Sequence, residues 1–205
     1  MGVIDKLRKA GVRRIFVYAF IFCVQKIRCF FYQYVFSGNG AVLRNVVLNQ
    51  PAQFSGRGRI SLYKVNVGTW SSPSFLSGYA YFEARSPSAC IEIGEETFLN
   101  NNASIIADRT SVIIGRRCLI GVGFSAVDSD FHGLEVGNRS NGEYECAPVM
   151  IGDDVFIGNN VTLLKGVEIG CGSVVGSGSL VVNDVPPFTV YAGVPAKLIR
   201  NLPRV

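Results

Sequence analysis

Aliphatic residues recur every six positions through the second half of the chain, at Ile151, Ile157, Leu163, Ile169, Val175 and Val181. An amphipathic helix needs an apolar period near 3.6 and a half-buried strand a period of two, so a sustained period of six fits neither and points to a solenoid. Glycine follows Ile151, Ile157, Ile169 and Val175, and a small or β-branched residue stands four positions after each aliphatic one, at Val155, Val161, Val167, Ser173, Ser179 and Val185. Three short flat strands per coil, one hexapeptide each, make a triangular prism whose corners call for glycine or asparagine in left-handed backbone conformations. Stacked coils would pair their strands in parallel at about 4.8 Å around an aliphatic interior. The 23 glycines fall mainly in this half, as repeated corners rather than as a flexible linker.

The register is present earlier at Ile93, Leu99 and Ile105, and again at Ile114, Ile120 and Ala126. One interruption lies around 109–113. The other runs from Val127 to Pro148, where the period vanishes and polar residues accumulate, and reads as a loop extruded from the prism. Before Ile93 the repeat is faint: residues 54–62 begin the first coils, and 70–85 reads as another excursion. A solenoid with a regular interior has no intrinsic pocket, so chemistry belongs on such loops or between neighbouring copies. The sole histidine, His132, lies in the longer loop.

The chain divides into a basic and apolar segment over 1–40, expected to be helical, a repeat domain over 41–190 with the loop 127–148, and a tail over 191–205. From Lys6 to Arg14 the sequence is basic, and Ile15 to Val24 is apolar but for one tyrosine hydroxyl. This mimics a signal peptide but lacks a small-residue cleavage site, and Lys26 and Arg28 interrupt it before a second aromatic cluster, Phe30 to Phe36. Ten apolar residues fall short of the roughly 20 needed to span a bilayer. The segment is read as a retained helix that either lies in a membrane interface or packs on one end of the core.

A net charge of +5 favours anionic partners. No basic stretch is interleaved with base-stacking aromatics, so nucleic acid is the least favoured of them and none is expected as a partner. The six cysteines show neither metal spacing nor a dense disulfide framework and are read as reduced. With one histidine in the chain, no metal site is expected.

Four segments carry a resemblance: Phe98-Leu-Asn-Asn-Asn-Ala-Ser-Ile105, the histidine-bearing loop, Pro148-Val-Met-Ile-Gly-Asp-Asp-Val-Phe-Ile-Gly158, and Ala192-Gly-Val-Pro-Ala-Lys-Leu-Ile-Arg200. They resemble the hexapeptide-repeat acyltransferases, in the branch of galactoside, maltose and surface-polysaccharide O-acetyltransferases, over about residues 83–200. The resemblance implies a left-handed parallel β-helix, a homotrimer, and acetyl-CoA in the groove between neighbouring subunits. It makes His132 the catalytic base. The chemistry agrees, since a sugar hydroxyl is a poor nucleophile and a neutral imidazole can take its proton as it attacks the thioester. Asp128, Asp130 or a backbone carbonyl would orient the ring. Asn100, Asp108 and Asp130 match positions toward the acceptor or the reacting end, and Glu83 and Arg85 are read as ordinary surface charge, with reach to the acceptor as the alternative. Asn159 and Ser177 match the cofactor groove, with Lys197 and Arg200 near its phosphate end. Where the family commonly carries a Thr-Lys pair, this chain has Val182-Asn183, and Phe156 stands where tryptophan is common.

The resulting expectation is an acetyl-CoA-dependent O-acetyltransferase acting on a sugar hydroxyl of a lipopolysaccharide or capsule precursor. It would work in the cytoplasm, at the inner face of the membrane if the N-terminal segment attaches there. N-acetylation of an amino sugar or of an antibiotic on the same scaffold is the alternative within enzymes, and a non-catalytic solenoid the alternative outside them. A zinc hydrolase of the carbonic-anhydrase kind is disfavoured, because one histidine cannot build its metal site.

Overall fold

The computed structural model describes residues 12–140 and 143–204. The basic residues Lys6, Arg8 and Lys9 lie outside them. Helix α1 (Val12–Tyr34) leads into six stacked coils of three strands each. The first holds β1 (Val42–Arg44), β2 (Val47–Leu48) and β3 (Ala52–Gly56), and the second β4 (Arg59–Tyr63), β5 (Asn66–Val67) and β6 (Ala80–Ala84). The third holds β7 (Cys90–Ile93), β8 (Phe98–Leu99) and β9 (Ser104–Ala107), and the fourth β10 (Ser111–Ile114), β11 (Leu119–Ile120) and β12 (Ser125–Val127). Then come β13 (Val149–Ile151), β14 (Phe156–Ile157) and β15 (Thr162–Leu163), followed by β16 (Glu168–Ile169), β17 (Val174–Val175) and β18 (Leu180–Val181). The chain closes on β19 (Thr189–Gly193), parallel to β17, and β20 (Ala196–Asn201), antiparallel to β19. Residues 191–201, assigned to a tail from the sequence, thus form most of a hairpin that extends the second face.

Three parallel sheets result, one per prism face, with the strands of each coil pairing to those of the next. The six-residue register becomes three vertical stacks: Ile93–Ile114–Ile151–Ile169 on the first face, Leu99–Ile120–Ile157–Val175 on the second, and Ile105–Ala126–Leu163–Val181 on the third. Every one of these side chains is buried, as are Val155, Val161, Val167, Ser173, Ser179 and Val185 between the strands. Burying each large aliphatic contributes roughly 1.5–3 kcal/mol, so the stack is the main source of stability.

As expected, glycine and asparagine take the left-handed corners between the second and third faces, at Asn102, Gly123, Asn160 and Gly178, and the first and last corners between the first and second faces, at Asn45 and Gly172, while the middle corners there depart from that expectation. At the edge between the first and second faces, the left-handed position is taken by Lys64 (φ 48°), Glu96 (φ 61°), Arg117 (φ 56°) and Asp154 (φ 60°) in successive coils. Such a conformation costs a non-glycine residue roughly 1–2 kcal/mol. Each gains a backbone bond to the preceding coil, as from Arg117 N to Glu95 O at 2.9 Å and from Asp154 N to Arg116 O at 2.9 Å. Charges also alternate up this edge: Lys64 pairs with Glu95 at 2.9 Å, Arg116 with Asp153 and Arg117 with Asp154 at 2.7 Å each.

Helix α1 covers the open end of the first coil, a role that terminal elements fill in solenoids. Gln25 Nε2 donates to Phe75 O at 2.6 Å, and Arg28 Nη2 to Gly78 O at 2.9 Å. Trp70 meets the rings of Tyr18 and Phe22. Past the helix, Gly38 N and Asn39 N cap Phe54 O, and Ser37 Oγ accepts from Phe54 N, so the exposed edge of β3 is satisfied. The ten-residue apolar run read from the sequence is part of a 23-residue helix that continues through Lys26 and Arg28.

Candidate functional site

The loop that leaves β12 emerges at the edge between the third and first faces and is closed at its neck by an antiparallel bridge between Ser129 and Cys146. Asp128, wholly buried, roots it. One carboxylate oxygen accepts from Asp108 N at 2.7 Å; the other accepts from Thr110 N and Thr110 Oγ1 at 2.8 Å each and from Arg109 N at 3.3 Å. With both oxygens engaged by the coil beneath, Asp128 anchors the loop and does not orient the histidine. Asp130 does not either: its carboxylate meets Lys165 Nζ at 3.0 Å, and Lys165 also reaches Glu145 at 3.4 Å. The two acidic partners, the Asp130 hydrogen bond first, raise the Lys165 pKa above its ordinary value.

His132 is exposed, in an open cleft of about 530 Å³ lined by Asp130, Gly133, Leu134, Arg139 and Ser140. Its Nδ1 lies 3.0 Å from the backbone oxygen of Arg139. A carbonyl can only accept, so in the neutral ring Nδ1 carries the hydrogen and Nε2 keeps its lone pair. Of the three orienting groups open from the sequence, the ring meets the backbone one. Phe131, at φ 62°, turns the chain just before the histidine, held by a bond from its N–H to Ser129 Oγ at 2.9 Å. The Arg85 guanidinium lies 4.5 Å from the centre of the Phe131 ring and bonds Glu83 at 3.0 Å. The Glu83–Arg85 pair therefore supports the loop residue beside His132.

Asp108 lies at the same edge, 6% exposed. Tyr144 Oη donates to it at 2.8 Å, Arg109 Nε stands 3.4 Å away, and the Arg109 guanidinium covers the Tyr144 ring at 4.1 Å. The bond to Asp108, then burial, raises the Tyr144 pKa. Phe131, Tyr144, Arg109 and Lys165 were not singled out from the sequence. Phe131 and Tyr144 lie within the loop and Arg109 and Lys165 outside it, and no sequence signal marks them because their partners come from other coils.

The remaining expected site residues, Arg200 apart, occupy the opposite edge of the third face. Asn159 Oδ1 accepts from Val122 N at 2.9 Å, and Ser177 Oγ accepts from Asn159 N at 3.0 Å, so these two side chains staple successive coils while remaining exposed. Asn100 stands on the same edge, its Oδ1 accepting from Asn101 N at 2.8 Å. Asn101 is buried and bonds Thr69, Ser72 and Pro73, pinning the excursion after β5. Gly158 lets the coils close here, since a Cβ on it would fall 2.5 Å from Ser177 Oγ and 2.6 Å from Ser177 N. From the C-terminal hairpin Lys197, opposite Ala192, extends this edge, whereas Arg200, opposite Val190, lies on the second face in the column of Phe156 and Val174. Phe156 is half exposed on the adjoining second face, between Leu119 and Val174. One chain thus carries Asp108, Asp130 and His132 along one edge of the third face, and Asn100, Asn159 and Ser177 along the other.

Residues 148–183 match the bacterial transferase hexapeptide family (six repeats), and residues 111–140 the hexapeptide repeat of succinyl-transferase. Galactoside O-acetyltransferase of Escherichia coli (strain K12) is 37% identical over 144 residues, covering 70% of this chain and 68% of that protein. Among solved structures, a hexapeptide-repeat acetyltransferase of Vibrio cholerae O1 biovar eltor complexed with acetyl coenzyme A superposes with a TM-score of 0.53 at 30% identity, over 79% of this chain and 73% of that one. A galactoside acetyltransferase in complex with coenzyme A gives 0.53 at 25% identity, over 89% and 81%. The prism is the left-handed parallel β-helix of these proteins. By its repeat, its coil geometry and this shared length, the chain belongs to the hexapeptide-repeat acetyltransferases.

Proposed function

We propose that the protein transfers acetyl from acetyl-CoA to a sugar hydroxyl of a surface-glycan precursor, with His132 as general base. The observation that carries the reading is the ring geometry: Nδ1 is committed to the Arg139 carbonyl, which leaves the Nε2 lone pair as the base, and His132 lines the open cleft. The acceptor O–H would give its proton to Nε2 as its oxygen attacks the thioester carbonyl. Collapse of the tetrahedral intermediate breaks the C–S bond, and the proton on Nε2 passes to the departing thiolate, returning the base to its neutral form. Acetyl-CoA as donor is supported by the Vibrio cholerae relative, whose structure contains it, and an O-linked sugar acceptor by the galactoside O-acetyltransferase relative.

The two half-sites on opposite edges of one face support a homotrimer. Each loop would then meet the Asn100, Asn159 and Ser177 edge of a neighbour, with Lys197 and Arg200 toward the cofactor phosphates. Asp108 and Asp130 hold the loop through Tyr144 and Lys165 and border the acceptor's approach.

The test is thiol release from acetyl-CoA against a panel of sugars and amino sugars, comparing wild type with His132→Ala at matched oligomeric state. A hydroxyl acceptor turned over by wild type and about a hundredfold more slowly by the variant is the expected result. Equal turnover by both proteins would remove His132 from the mechanism, and turnover of amino sugars alone would replace O-transfer by N-transfer.

A further inference from the structure

We propose that the outward face of α1 docks on the surface of an anionic phospholipid bilayer. The helix has two apolar faces. Tyr18, Phe22, Gln25, Cys29 and Tyr32 point to the protein body, where they meet Trp70, Phe75, Leu48 and Tyr79. The opposite stripe, Phe16, Phe20, Cys23, Ile27, Phe30 and Tyr34, follows steps of three and four residues and contains no charged or amide side chain. Its exposures are 71% at Phe16, 70% at Phe20, 52% at Ile27, 56% at Phe30 and 66% at Tyr34. The stripe is about 27 Å long at the helical rise. Val35 and Phe36, both more than half exposed, continue it past the helix end. A helix with two apolar faces has both to cover, and here one already has its core.

The charge distribution says which occupant fits. Residues 1–40 hold seven lysines and arginines and one aspartate, a net +6, while the remaining 165 residues hold 13 basic and 14 acidic side chains, a net −1. The whole positive balance of the chain therefore sits on the segment that bears the apolar stripe. A second copy would bring the same positive charge against it, whereas anionic headgroups complement it. Exposed Lys26 flanks the stripe and exposed Arg14 stands at the helix's N-terminal end, where their long stems can reach along apolar surface and hold the ammonium or guanidinium at headgroup level. Aromatic side chains suit the same depth. By length and composition the segment Arg14–Tyr34 could cross a bilayer, but the bonds of Gln25 and Arg28 to the excursion after β5 keep one face on the protein, which makes it an interfacial helix. Because α1 covers the first coil and the His132 loop leaves the fourth, the loop stands three coil steps, about 14 Å, from the membrane end of the prism. Resting on the acetyl-transfer reading, this places the loop within reach of a lipid-linked glycan.

The experiment is cosedimentation of the full chain with vesicles of phosphatidylcholine alone and of phosphatidylcholine mixed with phosphatidylglycerol. Wild type is expected to pellet with the mixed vesicles and to be released by salt. Phe16→Ser/Phe20→Ser/Ile27→Ser, which touches no core residue, should partition at least about tenfold more weakly, given what each buried side chain contributes. Arg14→Glu/Lys26→Glu should lose the preference for the mixed vesicles. The proposal is overturned if wild type stays in the supernatant with both vesicle types, or if the serine variant pellets as wild type does. It is equally overturned if that variant only lowers the oligomeric state seen by light scattering, which would make the stripe a contact between copies. Vesicle binding is read without turnover, so failure of acetyl transfer and failure of docking are separate results, and thiol release with a water-soluble acceptor should be unchanged in the serine variant.

Discussion

Replacing Asp128 by asparagine keeps the shape of the side chain and removes one acceptor, so its consequence can be worked from the four bonds it makes. An amide has one carbonyl oxygen. If that oxygen faces Thr110 it keeps the bonds to Thr110 N, Thr110 Oγ1 and Arg109 N, and the NH2 group then opposes Asp108 N, which has been 2.7 Å from a carboxylate oxygen. The buried N–H left without an acceptor costs about 1–3 kcal/mol, and each retained bond falls from charge-assisted to neutral strength at about 1 kcal/mol. Turning the amide over orphans three donors in place of one. The expected loss is about 3–5 kcal/mol, which for a chain of this size lowers Tm by about 10 °C. Because the same carboxylate roots the loop neck, thiol release should also fall at temperatures where the variant is still folded. Thermal melting followed by circular dichroism checks the first effect and acceptor-dependent thiol release the second. A Tm within about 2 °C of wild type would refute the assignment of Asp128 as a saturated internal anchor.

Lys165→Met removes the cation between Asp130 and Glu145 while keeping the length of the stem, so kcat should drop about tenfold through loop misplacement, with KM for acetyl-CoA unchanged because Asn159 and Ser177 lie on the other edge. An unaltered kcat would show that the pair does not position the loop. At the corner ladder, Arg116 holds the Asp153 carboxyl, and Arg117 that of Asp154, below the ordinary value of 3.8. Their contribution to stability is therefore full above that value and is lost as pH falls through the lowered folded values. Arg116→Ala/Arg117→Ala should melt lower than wild type at about pH 7 and approach it progressively as pH falls below the ordinary carboxylate value, by a modest amount since the pairs are exposed. A gap between the two proteins that does not change with pH would contradict the pairing.

The coils from Ile93 onward were legible because each hexapeptide places its aliphatic residue in the same interior stack, so a local period reports a global fold. The first two coils were not. There the interior is filled by Ala52, Phe54, Ala80 and Phe82, the two rings stacked 5.2 Å apart, and the excursion over 68–79 breaks the register between β5 and β6. His132 stands out in the sequence as a candidate because it is the sole histidine and lies in the repeat's main interruption. Its orienting partner could not, since the Arg139 carbonyl is a backbone group that any residue would supply, brought near by the turn at Phe131.

The amino-acid sequence by itself determined the solenoid, the inward residues and the place of the loop, because period and interruption are properties of neighbouring residues along the chain. Tertiary structure alone decided which edge each polar residue occupies and which charges meet. Lys165 joins Asp130 from 35 residues away, and Arg116 joins Asp153 from 37, because stacking coils brings equivalent corners within one strand spacing whatever the length of the loop between them. It also decided that α1 spends one apolar face on the first coil and leaves the other uncovered, since a helix with two apolar faces carries no signal of which face will find a partner.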